Sequence, residues 1–508
     1  MRTRLERWFI SISTVLTAAI GILVFSRPAA AQEFYRFEGG IKGDKEYAEV
    51  LFITGEPVVV TGTVRETVGR GRGNLTTGSV TFTLENKDKG IKLSRSLSYS
   101  VESETAGRQE VASIRVERFS ESITVGKDRY TLKEFQFSRS ELLDHQPAVL
   151  YKSGNWTARK VYSVNNDLAK VIVETWGHNV GYQHAWGSTE SAREEGTVFF
   201  SGQVAVDKKT YVSSEWSASF RRDLSYHRLR YLEYQENEPV SISFPGGYVE
   251  NTQTVETLYY SGSFPDLSEG QVQSDRWQAK EGSYELKAVP AKRWLPVAKW
   301  RDVRGHWAEA DILKLYGLGA LEAGGDYFYP ALPFYRGQFA RALAQVLDLP
   351  LPEEAPSGTR TGGLRRNQVP QEKPLFADVA VTDPAYKYYK AVYEAGIMSG
   401  IGVGIFGAAE PLTRAQALVI LVRALGLETL APSKPPSTAF LDDWTIPAWA
   451  RPAIYVAYKI GLARGDEYGY LRPNEVLTRA EAAAFLNRFI RYLQEEMTAD
   501  YRERVLNF

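Results

Sequence analysis

A five-residue stretch that occurs three times in the C-terminal part of the chain constrains the fold more than any other feature. Its best-preserved copy is Leu477-Thr478-Arg479-Ala480-Glu481, and the others are Leu412-Thr413-Arg414-Ala415-Gln416 and Phe334-Tyr335-Arg336-Gly337-Gln338. A Thr followed three residues later by Glu or Gln, ahead of an apolar run, is typical of a helix N-terminus with a capping box. The spacing therefore predicts three helices, each beginning at its arginine.

The arginine of each copy lies in the first helical turn, where the helix dipole disfavours a cation. A guanidinium beside free backbone N–H groups is suited to holding an anion. In the first copy, Tyr335 replaces the capping Thr and Gly337 lies inside the helix start, so we expect a weaker cap there. The expected order of the three anion sites is Arg479, then Arg414, then Arg336.

The residues around each copy also recur in order. An aromatic residue two positions before an acid opens each unit, and the acids are Asp302, Asp378 and Asp442. A second aromatic residue follows, and these are Trp307, Tyr386 and Trp449. A predicted helix then ends on a glycine, at Gly317, Gly396 and Gly461. A loop leads from that glycine to the arginine-bearing helix.

This ordered pattern resembles the S-layer homology (SLH) domain, present three times over roughly residues 298–492. The resemblance implies an all-α, pseudo-trimeric spindle of three repeats that tethers the protein non-covalently to the cell wall. It implies a ligand as well: a secondary cell-wall polysaccharide, commonly pyruvylated, or a glycan linked to peptidoglycan, held in grooves between repeats. Other S-layer subunits are the second class of expected partner.

The residue types of the pattern fit such a ligand. A pyruvyl ketal carries a carboxylate, and a charge-assisted hydrogen bond to an arginine is worth about 1.5–3 kcal/mol when partly shielded from water. Aspartates could orient the arginines or accept sugar hydroxyls, and tryptophans offer apolar faces to sugar rings. The predicted polysaccharide-binding residues are Arg479, Arg414, Arg336, Asp302, Asp378, Asp442, Trp307 and Trp449. The alternative is that they form only helix caps and core.

The N-terminus has the features of an export signal. Three arginines precede an uncharged, largely apolar stretch from Trp8 to Phe25, and Ala29-Ala30-Ala31 satisfies a small-x-small cleavage rule. An uncleaved membrane anchor is the alternative. We expect cleavage, because the alanine-rich site follows the helix-breaking Pro28.

Composition excludes several function classes. The chain has no cysteine, so disulfides, thiolate metal sites and cysteine nucleophiles are absent. Lys plus Arg and Asp plus Glu number 61 each, so the net charge gives no reason to expect a nucleic-acid partner.

From about Glu33 to Val289 the apolar pattern has a period of two, with frequent Val, Thr, Tyr and Phe. This predicts an antiparallel, all-β region of many strands. Three of its strands carry a glycine after two apolar residues and a Ser or Thr, at Gly62, Gly202 and Gly262. A glycine there indicates a bulge or a close backbone approach, unless the match is chance.

The β-rich region offers little chemistry. The stretch Trp176–Gly187 holds two of the 5 histidines and two tryptophans, and a metal site would need a third ligand such as His145, His227 or a carboxylate. We favour an aromatic hairpin or loop, with a sugar-binding platform as the functional alternative. The basic stretch Gly69–Asn74 is expected to be a solvated turn. No catalytic residue, metal or cofactor is predicted.

The predicted organisation follows from these features. It comprises a signal peptide at 1–31, a β-rich displayed region at 32–290, SLH repeats at 298–350, 374–430 and 438–492, linkers at 351–373 and 431–437, and a charged tail at 493–508. The sequence therefore predicts an exported, non-enzymatic cell-surface protein, such as an S-layer component. A surface-anchored enzyme or carbohydrate-binding protein acting on polysaccharide is the alternative.

Overall fold

The computed structural model describes residues 38–70, 74–205, 210–237, 246–268, 271–322, 324–352 and 374–497. The expected signal peptide, and with it the choice between cleavage and anchoring, lies outside these residues. So do most of the first linker, the end of the tail and residues 71–73 of the basic turn. Within the described residues, no helix has both the length and the apolar character needed to cross a membrane.

The N-terminal region forms one antiparallel sheet in which consecutive strands pair with each other. The strands are β1 Ile41–Lys42, β2 Tyr47–Leu51, β3 Val58–Arg70, β4 Leu75–Asn86, β5 Ile91–Ala106, β6 Gln109–Val125, β7 Asp128–His145, β8 Val149–Val164, β9 Ala169–His184, β10 Gly187–Ala205, β11 Tyr211–Gln235, β12 Gly247–Ser268, β13 Gln271–Lys287 and β14 Ala291–Trp294. β14 pairs with β12, so the sheet continues beyond residue 290. The predicted many-stranded antiparallel fold is confirmed.

One face of the sheet is buried because the strands alternate apolar and polar residues. β1 and β2 lie against this inner face. All five residues of β2 are buried, and the Lys42 N–H donates to Glu256 Oε2 on β12 at 2.9 Å. Phe52 stacks on Phe220 of β11 with ring centroids 4.0 Å apart. The sheet therefore curves around its own first two strands.

A network of charged side chains lies within this inner core. Arg95 is 2% exposed, and its two terminal nitrogens each donate to a Glu49 oxygen at 2.8 Å. Its Nε donates to Glu121, which also accepts from the Tyr162 hydroxyl. Burial lowers the pKa of Arg95, but the surrounding carboxylates outweigh it and hold that pKa well above its usual value. Arg95 therefore stays charged inside the sheet.

The glycines at Gly62, Gly202 and Gly262 mark close backbone approaches. A Cβ at any of the three would lie 2.1 to 2.4 Å from a backbone atom of a neighbouring strand. The register irregularities of the sheet lie elsewhere, for example between Ser98 and Tyr99. The close-approach form of the prediction is confirmed.

The C-terminal region is helical, as predicted. Its helices are α1 Glu309–Gly317, α2 Arg336–Val346, α3 Tyr386–Glu394, α4 Arg414–Leu425, α5 Arg451–Lys459 and α6 Arg479–Arg491, with 3₁₀ turns at Glu428–Leu430 and Asp443–Thr445 and a π-helical turn at Tyr492–Glu496. Gly396 and Gly461 follow α3 and α5 with φ of 71° and 70°, as expected of helix-ending glycines. In the first repeat, α1 ends on Gly317 as predicted, and Gly319, two residues further on, has the positive φ of 75°.

The three repeats close around an approximate threefold axis. The Phe334 N–H donates to the Leu477 carbonyl at 2.8 Å, Leu477 to Leu412 at 2.7 Å, and Leu412 back to Phe334 at 3.1 Å. α2 packs on α3, α4 on α5 and α6 on α1, so each arginine-bearing helix contacts the first helix of another repeat. This arrangement agrees with the predicted pseudo-trimeric spindle.

The sheet and the helices share one core. Trp186, at the β9–β10 turn, is fully buried, and its Nε1–H donates to the Val346 carbonyl at the end of α2 at 2.9 Å. The Ala148 N–H donates to the Ala424 carbonyl in α4 at 2.8 Å. The neighbouring His184 is half-buried, and desolvation of its ring lowers its pKa to about 3. Turns of the sheet thus satisfy helix carbonyls that lack an intrahelical partner.

Candidate functional site

The arginine-bearing helix starts are capped as predicted in the second and third repeats. Thr478 Oγ1 accepts from the Glu481 N–H at 3.3 Å, and Glu481 Oε2 accepts from the Thr478 N–H at 2.9 Å. The Thr413–Gln416 pair forms the same two bonds at 3.3 and 3.0 Å. In the first repeat the Tyr335 side chain makes no capping bond, and only its N–H is held, by Gln338 at 3.1 Å. The weaker cap expected there is confirmed.

The first-turn N–H groups of these helices are not free. The Arg479 and Ala480 N–H groups donate to the carbonyls of Leu332 and Pro330 at 2.9 and 3.0 Å. Equivalent bonds hold the other two helix starts. The acceptors are the carbonyls of Glu410 and Ala408 for α2, and those of Glu475 and Pro473 for α4. The expectation of free N–H groups was wrong, because each helix start receives a loop from another repeat. An anion at such a helix start would therefore have to be held by the arginine side chain.

The three aspartates hold those loops. Both oxygens of each carboxylate accept from two consecutive backbone N–H groups: Phe328 and Tyr329 for Asp302, Phe406 and Gly407 for Asp378, and Leu471 and Arg472 for Asp442. Burial raises the pKa of Asp302 and Asp378, but these N–H groups outweigh it and leave both pKa values below their usual range. The second residue of each loop pair has positive φ. A further contact of these aspartates with sugar stays a prediction.

Arg479 is the most available of the three arginines. Its guanidinium carbon lies 4.2 Å from the Phe328 ring centroid, and its side chain makes no hydrogen bond or ion pair with the described residues. Burial lowers its pKa, and Asp302 acts in the opposite direction. A partly desolvated cation with unused donors is well suited to a carboxylate.

Arg414 and Arg336 are already engaged. Arg414 Nη1 donates to Glu481 Oε1 at 2.6 Å, although its buried Nε has no partner. Arg336 Nε donates to the Phe406 carbonyl at 2.9 Å, and its Nη2 donates to the carbonyl of Ser399. Arg336 and Arg414 are only 7% and 8% exposed. The contacts of Arg414 and Arg336 leave Arg479 with the most unused donors, and the order of the three as ligand sites stays a prediction.

The two predicted tryptophans are on the surface. Trp307 and Trp449 are 67% and 59% exposed, so they are not core residues. Each directly precedes the N-cap residue of the first helix in its repeat. The same place in the second repeat is occupied by Pro384, before the N-cap Ala385. Matching Tyr386 to the tryptophans was therefore wrong: it begins α3 and is buried.

Four exposed tyrosines in the loops were not among the predicted site residues. Tyr327 and Tyr329 flank Phe328, are 43% and 53% exposed, and have ring centroids 5.8 Å apart. Tyr468 and Tyr470 are exposed in the third loop. Aromatic residues recur in these loops of the sequence. Their exposure depends on the positive-φ turn of each loop, and the sequence pattern does not predict that turn.

The aromatic residues of the stretch Trp176–Gly187 lie in different environments and do not come together as one site. It is a hairpin between β9 and β10, as favoured. Trp176 is 46% exposed on the outer face, whereas Trp186 is buried against the helices and His184 is half-buried. Across the described ranges, no group of three or more His, Cys, Asp or Glu side chains is placed to hold a metal ion.

Comparison with known proteins identifies the C-terminal region. The S-layer homology domain model matches residues 301–340, 375–418 and 440–483. Similar proteins include an endoglucanase of Bacillus sp. (strain KSM-635), 34% identical over 26% of this chain and 13% of its own length. A cell surface protein of Thermoanaerobacter kivui is 39% identical over 22% of this chain and 15% of its own. The S-layer protein sap of Bacillus anthracis is 29% identical over 36% of this chain and 20% of its own length.

The chain thus spans only 13% to 20% of the length of these relatives. The family match covers the three helical repeats and each of the three arginines. Residues 301–483 therefore contain three S-layer homology domains, and the chain is a cell-surface protein.

Proposed function

We propose that the three domains anchor the protein non-covalently to a secondary cell-wall polysaccharide, with Arg479 as the principal contact. The observation that carries the proposal is the Arg479 guanidinium, which is stacked on Phe328 and has unused donors. Because loop carbonyls occupy the helix N–H groups, the arginine is the cation left to recognise an acidic sugar substituent. A pyruvyl carboxylate has the charge and geometry for it.

Aromatic side chains provide the second element of recognition. Tyr327 and Tyr329 lie in the loop that contacts Arg479, and Trp307 and Trp449 present exposed faces. The groove at Arg336 has exposed aliphatic residues, Ile401, Val403 and Ile405, in the corresponding loop. Two unequal grooves on one chain, at Arg479 and Arg414, would bind a repetitive polymer more tightly than either alone through effective concentration.

The sheet is the part that the anchor displays. The S-layer protein sap among the relatives supports a place in a surface layer, with other subunits as partners. The endoglucanase supports the second candidate, an anchored protein that acts on or binds polysaccharide. Both relatives match over less than two fifths of this chain. The outer face of the sheet favours binding of polysaccharide over catalysis.

A co-sedimentation experiment tests the anchoring. The full chain is mixed with purified cell-wall sacculi before and after chemical removal of the secondary polymer. We expect most of the protein to sediment with intact walls and to stay in solution with stripped walls, because the ligand of Arg479 is on the polymer. Equal sedimentation with both preparations would contradict the proposal and assign binding to peptidoglycan. Added purified polymer should release the protein from intact walls.

A further inference from the structure

The outer face of the sheet carries an open depression of about 280 Å³ across β9 to β12. Strand register explains where it lies. Trp176 is paired with Glu195, Glu195 with Arg221, and Arg221 with Ser261, so these four form one row across the sheet. The adjacent row on the same face has short side chains on β10 to β12, namely Thr197, Ser219 and Ser263, with Glu174 at its β9 end. Long residues therefore border a floor of short ones.

Trp176 forms one wall and is held in place. It is 46% exposed, and its Nε1–H donates to Glu195 Oε2 at 3.2 Å. A large aromatic side chain on a solvent face presents apolar area without a partner inside the chain. Its fixed ring offers that area at little cost in side-chain entropy on binding.

The charged side chains around the depression are held by hydrogen bonds within the face. Asp223 accepts from Arg221 Nε at 2.7 Å and from Arg193 Nε at 2.8 Å. Glu195 is engaged by Trp176 as described above. Around the depression, Arg193, Arg221, Asp223 and Glu195 therefore present paired charges rather than an isolated cation, in contrast to Arg479. Such a surface complements a neutral ligand rich in hydroxyl groups more closely than it complements an anion.

The exposed aromatic residues of this outer face are further apart than the length of one sugar ring. Tyr259 of β12 is 39% exposed, and its hydroxyl donates to Glu281 at 2.6 Å. It is three strands from Trp176, which corresponds to about 14 Å at the spacing of paired strands. We propose that this outer face binds a linear, neutral polysaccharide, with Trp176 packed on one sugar ring and Tyr259 further along the chain. This second glycan contact is independent of the anchor.

Affinity electrophoresis of the full chain tests the proposal. The gels contain cellulose-derived β-glucan, xylan or amylose, so that no probe carries a pyruvyl group. We expect retardation by at least one of them and at least tenfold weaker binding for Trp176→Ala. The matched control is Trp294→Ala, because Trp294 is 48% exposed on β14 and pairs with Val249 at the far end of β12. It should bind like the wild type.

A second variant guards against an effect on folding. Ser219→Tyr fills the floor without removing Trp176 and should weaken binding equally. Arg479→Ala should leave neutral-glycan binding unchanged, which separates this site from the anchor. Absence of retardation by all three glycans would overturn the proposal, and so would wild-type binding by either Trp176→Ala or Ser219→Tyr. The expected co-sedimentation of the full chain with intact cell walls does not depend on any of these results.

Discussion

Replacing Arg95 with alanine is expected to lower the free energy of unfolding by about 3–5 kcal/mol, because it breaks a buried ion pair by removing one partner. Arg95 is the centre of the inner network and contacts both Glu49 and Glu121. Without it, two carboxylates at about 1% side-chain exposure lose their main compensating charge. Few single substitutions on the sheet should lower the free energy of unfolding by more than this.

Urea unfolding followed by the far-ultraviolet signal of the sheet measures this effect. The matched control is Arg115→Ala, since Arg115 is 74% exposed and lies 3.9 Å from an exposed Glu102. Surface pairs of this kind contribute about 0–1 kcal/mol. If Arg95→Ala and Arg115→Ala unfold at the same urea concentration, the network does not stabilise the sheet.

Replacing Trp186 with alanine should have an effect of similar size, about 3–5 kcal/mol, by leaving a cavity at the junction of sheet and helices. The indole is fully buried, donates to the Val346 carbonyl, and has the Arg230 guanidinium carbon 4.6 Å from its ring centroid. Its loss removes packing and leaves a helix carbonyl without its partner. We expect the helical region to unfold separately from the sheet.

Calorimetry distinguishes this outcome from general destabilisation. The wild type should show strongly coupled melting of the two regions, and Trp186→Ala should show two separated transitions. Trp176→Ala removes the same side chain from an exposed place and is the control. A single transition at the wild-type temperature for Trp186→Ala would show that the coupling of the two regions does not depend on Trp186.

The sequence predicted the features that depend on neighbouring residues. Capping boxes at Thr413 and Thr478 are local, and so is the two-residue alternation that specifies the sheet. Arg95 lies between Leu93 and Leu97 on the buried face, yet its partners Glu49 and Glu121 are 46 and 26 residues away. Pairing at that separation depends on how the sheet curves, which the local pattern does not encode.

The same limit applies to the candidate site. Loops from one repeat occupy the first-turn N–H groups of a helix in another repeat, so local reasoning left those groups free. The tryptophans Trp176 and Trp186 belong to one hairpin, but the helices bury the second and leave the first exposed. Only tertiary packing determines that difference.

The most direct test of the anchoring mechanism is titration calorimetry of the full chain with purified secondary wall polymer. Arg414→Ala combined with Arg479→Ala should weaken binding at least a hundredfold, since two charge-assisted bonds of about 1.5–3 kcal/mol each are lost. The control pair, Arg301→Ala with Arg423→Ala, removes two cations that form surface ion pairs with Asp326 and Glu428. It should bind normally. Unchanged affinity in the first pair, with an unchanged helical circular dichroism signal, would contradict recognition by these arginines.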